Sequence, residues 1–341
     1  MKNNFIPFAK PMLSKKEKNA ALNVLNGSIL THGPKCRNFE KEFGYFHHKY
    51  NAVTLSNCTS AMFLALKSLE IGIGDEVIVP AMTHIATAHC VSHTGAKVVF
   101  CDIDENTGNI NCDIIKEKIT KRTKAIIVVH FIGLPADMDL LLDVIKKKSI
   151  YVIEDCAAAL GANINGKLVG TFSDAGCFSF YPTKHITTME GGMLISKSKK
   201  LTNKIRSLSS FGYNKTLQER SIPGIYDVDL LGYNLRMTEV AASIGLEQLK
   251  KLPFFIKKRK KNAKIIKSII SERADLNVLP SKFKSSESSD FCVNVIIKNG
   301  KSNFRNALIL KLNSNNIGTS VHYPICLPNS KYYSSIVFRA K

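Results

Sequence analysis

One lysine, Lys184, stands between an apolar run and a turn. It follows residues 175–181, which have the pattern of a buried strand, and it precedes the glycine pair Gly191 and Gly192. Burial at such a place lowers the pKa of an amine and makes it a nucleophile or a Schiff-base amine. Taken alone, the segment fits a plain structural lysine better, so other residues must decide between the two.

A carboxylate, Asp155, ends a second apolar run at residues 151–155. A buried carboxylate is costly unless it is paired. One possible partner is a protonated pyridine nitrogen, and that pair would keep the ring cationic, as an electron sink requires. The simpler alternative for Asp155 is an ion pair with a surface lysine.

Two further groups follow predicted strands. After the strand at residues 52–55, Thr59 and Ser60 lie in the first turn of a helix capped by Asn57. Free N–H groups and hydroxyls at a helix N-terminus suit a phosphate, and an ordinary capped helix is the alternative. His84 follows another strand and offers a flat ring for stacking, with a plain loop histidine as its alternative.

Helices and strands alternate along the first half of the chain. Predicted strands cover residues 52–55, 76–79, 97–103, 124–130 and 151–155, and predicted helices cover residues 14–25, 36–47, 85–93, 113–119 and 138–147. Continuous apolar strands alternating with helices indicate a mainly parallel sheet, which binds ligands at the carboxyl ends of its strands. Thr59, His84, Asp155 and Lys184 would meet at that edge, and together they describe a site for pyridoxal 5'-phosphate.

The later part of the chain changes in character. A long helix begins at Thr238, and from residue 254 a lysine-rich helix leads to a serine-rich linker at residues 281–289. Short strands are predicted at residues 292–297 and 319–323. We therefore expect a second, smaller domain.

Composition excludes several functions. The chain has 341 residues, of which 45% are hydrophobic, so it is long and apolar enough for a sizeable core. The net charge of +21 comes from scattered lysines, and no basic surface interleaved with aromatic residues is evident. We therefore predict no nucleic-acid partner.

Cysteine usage and apolar runs bear on location. The nine cysteines lack CxxC pairs and metal-ligand spacing, which indicates reduced core residues, a cytoplasmic location and no metal site. The N-terminus has no signal-peptide core, and no stretch approaches the roughly 20 apolar residues of a membrane span. We predict no membrane partner.

Longer sequence motifs indicate the class of protein more closely. The segments SNCTSAMFLAL, GIGDEVIVPAMTHIATA, VIEDCAAALGA, GCFSFYPTKHITTMEGGM and LGYNLRMTEVAASIGLEQL follow one another along the chain. In wording and order they resemble the DegT/StrS-type nucleotide-sugar aminotransferases, which are fold-type I pyridoxal-phosphate enzymes. The resemblance covers almost the whole chain and implies a three-layer αβα fold with a mainly parallel sheet. It further implies a large cofactor-binding domain at residues 1–249 and a smaller α+β domain at residues 250–341.

The resemblance implies roles for the cofactor-binding residues. Lys184 would bind the cofactor covalently and shuttle the proton, Asp155 would bind the pyridinium nitrogen, and His84 would stack on the ring. The residues that would hold the phosphate are Thr59, Ser60 and Ser179.

Other implied residues concern the substrate and the second subunit. Asn234 would reach the phosphate from the other subunit, so the resemblance implies a homodimer with shared active sites. Thr31 and His322 would lie near the substrate.

Three positions depart from the family pattern. Ala158 stands where relatives often have His or Gln in contact with the cofactor ring, and Met189 stands where relatives commonly have Gly. The chain ends 17 residues after Pro324, where relatives continue through further strand and helix. We therefore expect an incomplete small domain with an exposed apolar end at Tyr332, Tyr333, Ile336, Val337 and Phe338. The expected result is a protein that binds cofactor but has a labile C-terminal region and weak or no turnover.

The implied reaction is transfer of an amino group from glutamate to a nucleotide-linked keto sugar. The segments VIEDCA and FYPTKHITT look nearest to perosamine-synthase-like members, which implies a 4-keto-6-deoxyhexose for polysaccharide or lipopolysaccharide biosynthesis. One alternative is a sugar 3-dehydratase, although those relatives have His in place of Lys184. Another is an inactive or regulatory member, which the short C-terminus favours.

Overall fold

A seven-stranded sheet lies at the centre of the structure. The structure is a computed structural model that describes residues 5–215, 219–222, 224–298, 300 and 302–339, with side chains described as far as Ile336. The strands, in chain order, are β1 (Asn51–Leu55), β2 (Glu76–Pro80), β3 (Lys97–Cys101), β4 (Thr123–Val129), β5 (Tyr151–Asp155), β6 (Asn163–Ile164), β7 (Lys167–Leu168), β8 (Ala175–Ser179), β9 (Gly192–Ser196), β10 (Leu276–Val278), β11 (Lys282–Phe283), β12 (Ser286–Glu287) and β13 (Val295–Ile297). The central sheet has the order β1-β9-β8-β5-β4-β2-β3. β9 pairs antiparallel with both of its neighbours, and the other pairs in the sheet are parallel.

Helices cover both faces of this sheet. They are α1 (Lys15–Leu25), α2 (Pro34–Phe46), α3 (Cys58–Ser68), α4 (Ile85–Ser92), α5 (Cys112–Lys118), α6 (Met138–Ile145), α7 (Lys199–Leu208), α8 (Glu239–Ser271), α9 (Ser302–Ser314) and α10 (Lys331–Arg339). Neighbouring strand residues face opposite layers, because side chains alternate along a strand. Ile127 packs with α3, α4 and α7, whereas Ile126 packs with α5 and α6. The predicted α/β fold with a mainly parallel sheet is confirmed.

Local cap signals explain several helix starts. Ser14 caps α1 with a full capping box, because its side chain and that of Glu17 each satisfy a backbone N–H group of the other. Asn57 caps α3 and Thr238 caps α8, at the positions that the sequence indicates. α2 begins at Pro34 rather than at residue 36, because proline is favoured in the first turn.

The long helix α8 connects the two parts of the chain. It runs without interruption for 33 residues, so the predicted boundary at residue 249 falls inside it. Its first half packs on α1 and α2, and its second half leads to β10. No helix in the described ranges combines the length and apolarity needed to cross a membrane.

The C-terminal part is built from small sheets and two helices. β10 pairs with β13, and the β11–β12 hairpin extends the β6–β7 hairpin. The predicted strand at residues 319–323 is wrong, since the backbone there is irregular. Pairing occurs two residues earlier, where Ile317 bridges to Ile6 near the N-terminus, and no strand lies beside the following segment in the described part of the chain.

The C-terminal segment matches the expectation of an exposed apolar end only in part, because Tyr332 and Ile336 are exposed whereas Tyr333 is buried. It forms α10, which begins after Ser330, and the side chain of Tyr333 is only 3% exposed. Tyr333 packs on Phe100 of the central sheet, and its hydroxyl lies 3.1 Å from that of Ser92. The helical spacing brings one aromatic ring onto the large core, while Tyr332 remains half exposed. The side chains of Val337 and Phe338 lie outside the described residues.

Candidate active site

Lys184 lies in a loop that leaves the carboxyl end of β8. Its backbone N–H donates to the Tyr181 carbonyl at 2.9 Å, which closes a tight turn. Thr187 and Thr188 fasten the loop, since both donate to the Phe180 carbonyl at 3.0 Å. Burial lowers the pKa of Lys184, and the nearby Asp155 carboxylate opposes this effect only in part. The amine is therefore easier to deprotonate than an ordinary lysine.

An aromatic ring from the C-terminal part covers this amine. The Nζ atom of Lys184 lies 4.9 Å from the ring centre of Phe291, a cation–π distance. Sequence reasoning missed Phe291, because the contact joins segments about 100 residues apart and no local pattern announces it.

Asp155 is the last residue of β5 and its side chain is buried. Its Oδ2 atom accepts a hydrogen bond from the Thr87 hydroxyl at 2.9 Å, and its Oδ1 atom accepts one from the Ala157 N–H at 3.0 Å. These bonds fix the carboxylate and leave it without a cationic partner at hydrogen-bond distance within the described residues. A cationic ring nitrogen would meet that need. Thr87, in α4, is a second residue that the sequence did not indicate.

The neighbouring Glu154 anchors the end of β5. Its carboxylate accepts from His130 Nε2 at 2.9 Å, from the Gly170 N–H at 2.6 Å and from the Ser173 hydroxyl at 2.7 Å. The Nδ1 atom of His130 accepts from a backbone N–H, so the ring proton lies on Nε2. Burial alone would raise the pKa of Glu154, but these hydrogen bonds lower it. The network holds Asp155 in register with the sheet.

The candidate phosphate residues lie around the N-terminus of α3. Asn57 caps this helix by accepting from the Ser60 N–H at 2.8 Å, and the half-buried Thr59 lies in the same turn. Ser179 ends β8 opposite Gly192 of β9. Gly192 is required there, because a Cβ atom would collide with the Asn57 backbone. This close approach brings the end of the sheet against the helix N-terminus, where an anion is favoured.

Two histidines and a tyrosine complete the same pocket. His84 caps α4 by accepting from the Ala86 N–H, and its ring packs edge-on against Tyr323 at 6.2 Å. His322 lies 6.2 Å from the Phe291 ring. Burial lowers the pKa of both histidines, and the charge of Lys184 acts in the same direction, so both are neutral near pH 7. Tyr323 was not indicated by the sequence.

Two predicted residues lie apart from this group. Asn234 is exposed, and its Oδ1 atom accepts from the Arg236 guanidinium at 2.7 Å. Thr31 is exposed in the loop before α2. In the described part of one chain, no hydrogen bond, ion pair or ring contact joins either residue to Lys184 or Asp155.

The residues brought together fit pyridoxal phosphate. The Lys184 amine, with its lowered pKa, matches the aldehyde of that cofactor, and the fixed Asp155 carboxylate matches its ring nitrogen. The helix N-terminus beside hydroxyl groups matches its phosphate. They lie at the carboxyl ends of β1, β5 and β8, where an open α/β sheet binds its ligands. Fold and site thus define a pyridoxal-phosphate-dependent enzyme.

The chain belongs to the DegT/DnrJ/EryC1/StrS aminotransferase family, whose model matches residues 11–341. The spore coat polysaccharide biosynthesis protein SpsC of Bacillus subtilis (strain 168) is 42% identical over 265 residues, 77% of this chain and 68% of SpsC. GDP-perosamine synthase of Escherichia coli O157:H7 is 40% identical over 268 residues, 78% of this chain and 72% of that enzyme.

A solved structure agrees with these relatives. The putative sugar aminotransferase Spr1654 from Streptococcus pneumoniae, in its PMP form, matches with a TM-score of 0.91 and 30% identity, over 97% of this chain and 88% of its own. The predicted family, the pyridoxal phosphate cofactor and the class of sugar aminotransferase are confirmed.

Two departures from the family pattern are visible in the structure. Ala158 packs in an apolar cluster with Phe131, Phe291 and Tyr323, so its surroundings are hydrophobic. Met189 has a φ of 72°, in the left-handed region that favours glycine, and its side chain is half exposed.

Proposed function

We propose that this protein transfers an amino group from glutamate to a nucleotide-linked 4-keto-6-deoxyhexose. The observation that carries the proposal is an amine of lowered pKa at Lys184, beside the fixed carboxylate of Asp155. The similarity to GDP-perosamine synthase favours the sugar class, and the similarity to SpsC favours polysaccharide biosynthesis, with lipopolysaccharide as one such product.

The residues of the chain have distinct tasks in this reaction. Pyridoxal phosphate, when bound, supplies the electron sink for the carbon that loses its proton. Asp155 would bind the ring nitrogen, with Thr87 and the Ala157 N–H holding its two oxygens in place. Lys184 would accept and return the proton at Nζ, because burial lowers its pKa and so favours the neutral amine that a general base needs.

Other residues would bind rather than react. Thr59, Ser60 and Ser179 would hold the phosphate at the start of α3. His84 would stack on the cofactor ring, and His322 would lie beside the sugar. Because His84 and His322 are neutral, neither adds a positive charge beside the Lys184 amine.

We further propose a cytoplasmic homodimer whose partner subunit completes each site. Asn234 and Thr31 are exposed and stand apart from Lys184 in one chain, which supports a role toward a second copy. The domain division at residues 249 and 250 remains part of this proposal.

The alternatives are less well supported. Sugar 3-dehydratases of this family have a histidine where this chain has Lys184. An inactive or regulatory member would not need a complete set of groups around the amine. Here Phe291 covers the Lys184 amine and His322 packs on that ring, which supports an active enzyme.

The test uses purified protein with pyridoxal phosphate, glutamate and a panel of nucleotide-linked keto sugars. We expect a product whose mass shows that an amino group has replaced the keto oxygen, and no such product from Lys184→Ala. Replacement of exposed Lys257 by Ala is the matched control. Loss of a sugar hydroxyl without gain of nitrogen would instead indicate a dehydratase.

A further inference from the structure

A guanidinium from the long helix α8 lies against the ring that covers Lys184. The Cζ atom of Arg259 is 5.9 Å from the centre of the Phe291 ring, and Lys184 Nζ is 4.9 Å from the same centre. The two cationic groups are therefore no more than about 11 Å apart. Arg259 therefore lies next to the candidate active site, although no sequence motif indicated it.

One hydrogen bond holds the guanidinium of Arg259 in place. Its Nη1 atom donates to the Phe291 carbonyl at 2.6 Å, which ties α8 to the segment carrying the aromatic ring. The side chain is half buried, and burial lowers the pKa of the guanidinium. A guanidinium offers five N–H donors in a planar fork, so this one bond leaves most of its donor capacity unused.

No negative charge in the described part of the chain balances this guanidinium. Asp290, the acid next to Phe291 in the chain, accepts from Lys267 at 3.2 Å and from the Ser281 hydroxyl at 2.7 Å. The Cys292 thiol is protonated, because burial raises its pKa to about 12. His185, whose ring packs on Phe291, is neutral because burial lowers its pKa to about 3. A half-buried charge in such surroundings calls for an anion.

We propose that Arg259 binds a carboxylate of the amino-acid donor. This inference rests on the proposed function, since it assigns a donor subsite to the same pocket. An extended glutamate spans about 6 Å from its nitrogen to its distal carboxylate, and a charge-assisted hydrogen bond adds about 3 Å. The reach of such a donor is therefore about 9 Å. This role requires the guanidinium to lie within that distance of Lys184 Nζ, inside the upper limit of about 11 Å that the two ring distances set. Phe291 lies beside both cationic groups, and its ring would pack on the apolar carbons of the donor.

The first test is binding of glutarate, a dicarboxylate without an amine, to the cofactor-loaded protein by calorimetry. We expect Arg259→Gln to weaken binding about 10- to 100-fold, as loss of a charge-assisted hydrogen bond does. Arg259→Lys, which keeps the charge, should weaken it less. Lys257→Gln, an exposed charge on the same helix, should leave it unchanged. Circular dichroism and cofactor absorbance of each variant show whether the fold is kept.

The second test compares donors in the amino-transfer reaction. Arg259→Gln should raise the KM for glutamate about tenfold or more while leaving the KM for the keto sugar unchanged. Glutamine keeps the α-carboxylate but lacks the distal charge, so an unchanged KM for glutamine assigns Arg259 to the distal carboxylate. A rise for both donors assigns it to the α-carboxylate.

The failures of the two proposals look different. Equal glutarate affinity in Arg259→Gln and Lys257→Gln would overturn the role of Arg259, even in an active enzyme. Absence of amino transfer to every keto sugar, with glutarate binding still dependent on Arg259, would overturn the proposed reaction and leave the carboxylate subsite standing.

Discussion

At the residue scale, the chemistry depends on how the protonation of Lys184 is balanced. Burial favours the neutral amine, whereas the charge of Asp155 favours the ammonium, and burial prevails. Phe291 adds a third influence, because the face of an aromatic ring attracts a cation. The neutral amine is thus more accessible than in an ordinary lysine, which favours acid–base work.

The first prediction concerns covalent attachment of the cofactor. Borohydride added to the cofactor-loaded protein should fix the cofactor on the peptide that contains Lys184, and the visible absorption band should disappear. Lys184→Ala should show neither effect, whereas Lys197→Ala, an exposed lysine, should behave like the unmodified protein. Peptide mass mapping is the measurement, and a label on any other lysine contradicts the assignment.

The second prediction concerns Asp155. Asp155→Ala should reduce turnover by at least 10- to 100-fold, because a charge-assisted hydrogen bond is worth about 1.5–3 kcal/mol and the electron sink is weakened as well. The control is Asp143→Ala, at an exposed position of α6. Near-normal turnover of Asp155→Ala in a steady-state assay would mean that this carboxylate has another role.

At the element scale, one ion-pair network docks α1 onto α8. Glu17 is buried and accepts hydrogen bonds from Gln248 and Lys251 of α8, while its other oxygen caps α1 through Ser14. Burial by itself would raise the pKa of Glu17, but these bonds together lower it to about 2. The stability that Glu17 contributes is therefore present above its ordinary pKa of 4.5 and is lost as the pH falls toward 2.

The third prediction follows from the lowered pKa of Glu17. Glu17→Gln should lower the free energy of unfolding by about 1.5–3 kcal/mol at pH 7, and the difference from the unmodified protein should shrink as the pH falls below 4.5. Urea unfolding at several pH values measures it. Glu42→Gln, at an exposed position of α2, should show no such dependence. A difference that grows toward acid would contradict the assigned direction.

How far the sequence predicts each element depends on whether its signal is local. Ser14, Asn57 and Thr238 mark helix starts through short-range hydrogen bonds, so a single sequence suffices to place them. Phe291 and Arg259 lie near Lys184 only because the C-terminal part packs against the loop that follows β8. Residue type and spacing contain no record of that contact, which is why the sequence did not indicate either residue.

The C-terminal tail is a second case in which a tertiary contact could not be predicted from the sequence. The sequence predicted an exposed apolar end because no later helix is present to cover it. Tyr333 instead packs on a segment that lies more than 200 residues earlier in the chain. Tyr333 lies on Phe100 and beside Ser92, and only the folded sheet brings these positions together.

At the scale of the whole molecule, the proposed homodimer gives the fourth prediction. Lys184→Ala and Asn234→Ala proteins should each be inactive, but mixed dimers should regain part of the activity, because one of their two sites has both residues intact. Subunit exchange is followed with differently tagged chains, and turnover is measured after mixing. Exchange without any recovery would show that each site is built within one chain.

A small sheet described above has a consequence for how the molecule unfolds. Strand β12 pairs with β6, so Ser286 and Glu287 of the C-terminal part share backbone hydrogen bonds with Ile164 and Asn163 of the N-terminal part. Loss of either part removes hydrogen-bond partners from the other. We therefore expect the described regions to melt as one cooperative unit, with calorimetric and van't Hoff enthalpies that agree in differential scanning calorimetry. Two separate heat-absorption peaks would show that the parts melt independently, and the β6–β12 pairing would then contribute little to thermal cooperativity.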